Sequence, residues 1–261
     1  MHAGNSLRKA AAGIFLSRPS MILFRLLIAG LLVVAVRAEA GCYRPVDGAI
    51  IAQEGSAFGA KDGISYVSTV TRPPAPQTLP RASLMLYDGQ CRLLHQESFD
   101  EAAGILLEPV ALGSTELLQA TVKFPGGSGA SFLHLLFNRQ KWDGVIAALA
   151  PTALEHTNMG GFHVGDLGGG RGPGIAIWDA QWDDGAHYDP HPYVLTLYRW
   201  DGKAFVGPEV LKTPGKLNPN LPDAVPAAFG LPFKNDTQPE RFENLMSVSG
   251  PIGAKTPTPA Q

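Results

Sequence analysis

Short apolar runs bounded by Gly, Pro, Asn or Asp recur along most of the chain, and helical periodicity is scarce. Residues 84–87, 116–124, 132–138 and 193–200 are the clearest of these runs. Punctuation of that kind predicts β-strands joined by turns. In the last run Tyr193, Leu195 and Leu197 alternate with Val194, Tyr198 and Trp200, and only Thr196 and Arg199 are polar. A strand apolar on both faces has to be covered on both sides, so the pattern predicts packed sheets rather than one amphipathic layer.

The runs also repeat. "LMLYDGQC" (84–91), "LLFNRQKWDGVI" (135–146) and "LTLYRWDGKAF" (195–205) each set an apolar strand and an aromatic before Asp-Gly, at Asp88, Asp143 and Asp201. Asp-Gly between apolar runs is a hairpin signal. Upstream of the second and third copies, "ALGSTELLQATV" and "DLGGGRGPGIAIW" correspond as a Gly-containing turn followed by a strand. The repeat predicts an all-β fold of blade-like units, a small propeller-like or two-sheet domain.

The ends of the chain read differently. Residues 26–36 form an apolar run behind Arg25 and ahead of Ala38-Glu39-Ala40, the pattern of a secretory signal peptide over residues 1–40 with cleavage after Ala40. Met21 is an alternative start. The run is too short to span a membrane, which takes ~20 apolar residues. A single β-rich domain is then expected over 41–248, with a proline-rich connector at 72–80 and a disordered Pro-rich tail at 249–261.

Export gives the two cysteines a meaning. An even pair in an oxidising compartment predicts one disulfide, Cys42 to Cys91, which in the chain-entropy model stabilises the fold by roughly 4 kcal/mol. A lipid anchor on Cys42 ranks below this, because Glu39 stands where a lipoprotein signal carries an aliphatic residue. Setting the leader aside leaves sixteen Lys and Arg against twenty-two Asp and Glu, a balance that argues against nucleic acid as a partner.

The stretch "FHVGDLGGGRGPGIAIW" (162–178) resembles the loop and strand of the FG-GAP or VCBS propeller repeat of integrin α-subunits and bacterial envelope proteins. The resemblance covers about residues 160–205. It implies a blade, with Asp166 as the first ligand of a calcium loop and Ile175-Ala176-Ile177 as the strand that follows. Further ligands are missing, because Gly168, Gly170 and Gly174 stand where the family places Asp or Asn, and calcium prefers six to eight oxygens. A phosphate-binding loop is excluded by the absence of Gly-Lys-Ser/Thr and of a following helix. The plain alternative is a tight turn whose glycines take positive φ.

Candidate chemistry concentrates in "WDDGAHYDPHPY" (182–193). His187, Asp189 and His191 alternate, so in an extended segment they point to one side and could hold zinc or another transition metal. Trp182, Asp183, Asp184 and Tyr188 complete a loop whose composition equally suits recognition. Ser128 lies in "FPGGSGAS", one residue short of the G-x-S-x-G nucleophile elbow and followed by a strand, which disfavours a serine hydrolase. His134 and His163 read as core histidines. The expectation is a non-enzymatic secreted or periplasmic envelope protein without a required cofactor, binding a protein or glycan through Trp182, Asp183, Asp184, His187, Tyr188, Asp189 and His191. The alternatives are a metal-dependent hydrolase using His187, Asp189 and His191, and a periplasmic toxin-immunity or inhibitor protein.

Overall fold

The computed structural model describes residues 42–237 except 47, 60–62, 72–79, 127–128, 140–145, 149–153, 183–184, 220 and 222, and also Phe242. The expected leader, the proline-rich connector save Pro80, Ser128, Asp143, Asp183, Asp184 and the tail at 249–261 lie outside the described residues.

The strands form three antiparallel sheets, each a meander. The first holds β1 (Ala49–Ala57), β2 (Ile64–Thr71), β3 (Arg81–Tyr87) and β4 (Leu93–Asp100) in chain order. The second holds β5 (Gly104–Leu112), β6 (Thr115–Gly126), β7 (Gly129–Arg139) and the short β8 (Ile146–Ala148), with β9 (Glu155–Thr157) also paired to β7. The third holds β10 (Gly161–Asp166), β11 (Pro173–Ala180), β12 (Tyr193–Trp200) and β13 (Phe205–Lys212). A five-residue helix, α1 (Ala224–Ala228), follows. The fold is therefore all-β and blade-like, with three sheets.

Strand alternation decides how the sheets stack. On β6, Leu118, Ala120 and Val122 join Ile64, Leu84, Leu86, Ile105 and Leu107 in a core between the first and second sheets. Leu117 on the opposite face joins Leu112, Leu136, Leu154, Phe162, Ile175, Ile177 and Trp200 between the second and third. The first strand of the second sheet, β5, packs across β1, β2 and β3 of the first sheet and also meets β10 of the third.

Two terminal segments cover the outer faces. Cys42, Tyr43 and Ile51 pack on Val67, Met85 and Tyr87, and the Cys42–Cys91 disulfide fixes that segment to the hairpin between β3 and β4. At the other end Val225, Leu231 and Phe233 cover Trp178, Tyr193, Leu195 and Leu197. The same strap then runs beside β10. The Asp236 amide donates to the Phe162 carbonyl at 2.7 Å, and the Phe162 and Val164 amides donate to Asn235 Oδ1 and Asp236 Oδ2. Strap residues thus satisfy backbone groups of β10 that would otherwise be left unpaired. Burying both faces of β12, Tyr193, Leu195 and Leu197 on one and Trp200 and the half-buried Tyr198 on the other, matches the sequence pattern.

The repeated Asp-Gly pairs at 88 and 201 both fall between the third and fourth strands of their sheets. The turns are longer than the two-residue hairpin that Asp-Gly predicts. Asp88 Oδ1 accepts from the Gln90 and Arg92 amides at 2.8 and 2.9 Å, and Asp201 Oδ1 accepts from Lys203 and Ala204, both at 2.8 Å. The carboxylate closes the turn by taking up its free amides. These amides, Arg92's first for Asp88 and Ala204's first for Asp201, hold both carboxyls below their ordinary value.

Candidate recognition loop and the polar seam beneath it

The connection from β11 to β12 carries the candidate residues, and both strands are buried, so the loop stands on a rigid base. Trp182 is 53% and Tyr188 76% exposed, the two large exposed aromatics among the described residues. His187 sits between them, stacked on Trp182 at 5.5 Å between ring centroids and edge-on to Tyr188 at 4.9 Å. Tyr188 thus stands across the end of a Trp182–His187 stack.

His191 departs from the expectation of an exposed binding residue. It is fully buried, its Nε2–H donates to the Ala186 carbonyl at 3.1 Å, and its backbone bridges Leu217. Asp189 Oδ2 accepts from the Ala186 amide at 2.8 Å, and the Asp189 amide donates to the Ala186 carbonyl. Two of the three groups expected to hold a metal, Asp189 and His191, therefore shape the turn around Ala186, and Trp182 rests 5.2 Å from the His191 ring. Among the described residues no three His, Cys, Asp or Glu side chains come together in a way that would hold a metal ion. Beside the foot of the loop lies a cleft of about 240 Å³ lined by Glu155, Asp179, Gln181, Val194, Thr196 and Tyr198.

The glycine loop between β10 and β11 is a tight turn. Gly168, Gly169, Gly170 and Gly172 all have φ between 59° and 76°, the left-handed region that glycine enters without strain. Asp166 Oδ1 accepts from the Gly168 amide at 2.9 Å, and the Leu167 amide donates to the Gly172 carbonyl. Arg171 is drawn aside to Glu209, Nε at 3.3 Å and Nη2 at 3.2 Å, across a cleft of about 420 Å³. With Asp166 employed in the turn, a chelator should leave the melting temperature of the purified protein unchanged within about 1 °C. A large fall restored by added calcium would mean that a site is assembled from other carboxylates and carbonyls.

A second cluster lies between the second and third sheets. Gln119 and Thr121 on β6, His134 on β7 and His156 on β9 point toward the third sheet and are buried. Gln119 Nε2 donates to Thr121 Oγ1 at 3.1 Å, and Thr121 Oγ1 lies 3.1 Å from His134 Nδ1. His134 Nε2 lies 3.1 Å from His156 Nε2, which also meets Thr237 Oγ1 of the strap at 3.1 Å. His156 Nδ1 donates to the Thr157 carbonyl at 2.6 Å. Asp179, at the end of β11, accepts from the Thr157 amide and hydroxyl, both at 2.8 Å. The cluster thus joins β9 to the base of the recognition loop. A Cβ at Gly160 would collide with the Trp178 carbonyl and with His156, so this glycine permits the close approach.

His134 and His163 are core and part-buried histidines respectively, and His163 stacks on Phe233 and lies 2.8 Å from Asp236 Oδ2. The sequence does not single out His156 or Thr237, which are 81 residues apart. Alternation did carry a signal, since Leu117, Gln119 and Thr121 share one face of β6.

Fold and loop together define an all-β protein of stacked four-stranded sheets, with an exposed aromatic loop on the last of them. Compared with known proteins, the chain matches no family model, no curated protein and no solved structure.

Proposed function

We propose that this is a non-enzymatic binding protein of the bacterial envelope, secreted or periplasmic, that recognises a protein or glycan through the 181–192 loop. The observation that carries the reading is the pair of exposed aromatics Trp182 and Tyr188 packed about the half-buried His187, held on two buried strands and anchored from below by His191. Large aromatics supply contact area at little entropic cost and are enriched where proteins bind. The adjoining cleft offers Glu155 and Gln181 for polar contacts. The disulfide fits an oxidising compartment, and among the described residues no helix is long and apolar enough to cross a membrane. Blade-like sheets are what the resemblance to the FG-GAP type of repeat implies, and Asp166 closes the glycine turn.

Hydrolysis through His187, Asp189 and His191 is the weaker reading, because Asp189 and His191 are engaged by the Ala186 backbone. A toxin inhibitor would be a special case of protein binding.

The double substitution Trp182→Ala with Tyr188→Ala tests the reading. Exposed positions tolerate such changes within about 0.5 kcal/mol, so the fold should persist while capture from an envelope fraction or a glycan array falls at least tenfold. Equal capture by variant and parent would remove the loop from the function.

A further inference from the structure

We propose that His134 and His156 form an acid-sensitive latch across the seam between the second and third sheets. With both rings neutral the hydrogen-bond chain closes without facing like groups. A carbonyl oxygen can only accept, so the contact with Thr157 O puts a proton on His156 Nδ1 and leaves its Nε2 a lone pair. His134 then donates from Nε2, and its Nδ1 accepts from Thr121, whose own oxygen accepts from Gln119. One added proton on His156 can be met by shifting the His134 proton to Nδ1, at the cost of the Thr121 hydrogen bond as now directed. A second proton sets two N–H groups against each other across 3.1 Å, with the Thr237 hydroxyl oxygen as the remaining acceptor for the His156 proton.

The surroundings offer little to offset that charge. His134 is stacked flat on Phe162 with ring centroids 3.9 Å apart, and His156 on Phe132 at 5.2 Å. Gln119, Thr121 and Thr237 are neutral. The Asp179 carboxylate is taken up by Thr157 and the Ala180 amide. Lys123 lies beyond Phe242, which packs on Phe132. His163 and Asp236 pair with each other beside Phe233. Burial, and secondarily His156, hold His134 well below the ordinary imidazole value, and burial lowers His156 despite Thr157 O and Asp179.

The sign follows. A histidine whose folded pKa is depressed contributes stability that is fully present above its unfolded value, ~6.5, and is lost as pH falls below it. Each such histidine changes the folded-to-unfolded ratio by up to about tenfold per pH unit in that window. The strap is held on β10 by the Asp236 amide donating to the Phe162 carbonyl and by Asn235 and Asp236 oxygens accepting from the Phe162 and Val164 amides, contacts that involve neither ring. The seam should therefore loosen at β9 while the strap holds.

Hydrogen exchange on the full chain, corrected for intrinsic rates, tests this at about pH 7.5 and about pH 5. The expected result is a loss of protection of tenfold or more at residues 155–157 and at His134, whose amide donates to Leu154, with the Asp236 amide unchanged. His134→Gln should abolish the differential response, and His163→Gln should retain it. Should His134→Gln not fold, the wild-type pattern decides alone. Uniform loss across all three sheets, no loss at β9, or an unaltered response in a folded His134→Gln variant would overturn the proposal.

Discussion

Replacing Phe233 with Ala should lower the unfolding free energy by about 3–5 kcal/mol, the usual cost of emptying a packed aromatic site. Phe233 is 8% exposed, lies parallel to the His163 ring at 4.4 Å and meets Trp178 at 6.1 Å. It is the central apolar contact of a strap that stands where a neighbouring blade would otherwise cover the third sheet. Without it, Trp178 and Leu195 lose cover, and the strap is held to β10 by Asn235 and Asp236 alone. Urea unfolding followed by tryptophan fluorescence reads the loss directly. A change below about 1 kcal/mol would show that the strap is peripheral to the core.

The second large effect concerns the opposite end. Cys42→Ser with Cys91→Ser should cost about 4 kcal/mol, because the disulfide closes a loop across 49 residues of sequence. Its position adds a local consequence. The Cys42–Tyr43 segment covers Val67, Met85 and Tyr87, so losing the staple should expose the outer face of the first sheet before the others. Denaturant midpoints under reducing and non-reducing conditions measure the first effect, and hydrogen exchange in β2 and β3 the second. An unchanged midpoint would contradict the assignment of the disulfide as the staple of that face.

Much of this architecture was legible in the sequence. Short apolar runs bounded by turn residues located β3, β6, β7 and β12, and the two-faced pattern of β12 anticipated burial on both sides. The Asp-Gly repeat marked the turn from third to fourth strand in the first and third sheets, although the carboxylate closes longer turns than the dipeptide signals. Less legible was what terminal segments do. Leu231, Phe233 and Asn235 show no strand pattern, because the strap supplies side chains to a face and isolated hydrogen bonds to an edge. The recognition loop was located by composition, yet composition does not tell an exposed Tyr188 from a buried His191 three residues later. That distinction arises from the bridge to Leu217, a contact between segments far apart in sequence. The histidine seam was hidden for the same reason, since register between β6 and β7 sets Thr121 opposite His134 and a separate strand, β9, brings His156.

The most direct test of a binding role for the 181–192 loop is site-specific photocrosslinking in intact cells. A photoreactive residue would replace Tyr188 in one strain and Val206, which is 43% exposed on the edge strand β13, in another. The account predicts a discrete crosslinked species from position 188 that is absent from position 206 and lost when Trp182 is also changed to Ala. No species from 188, or the same species from both positions, would contradict it.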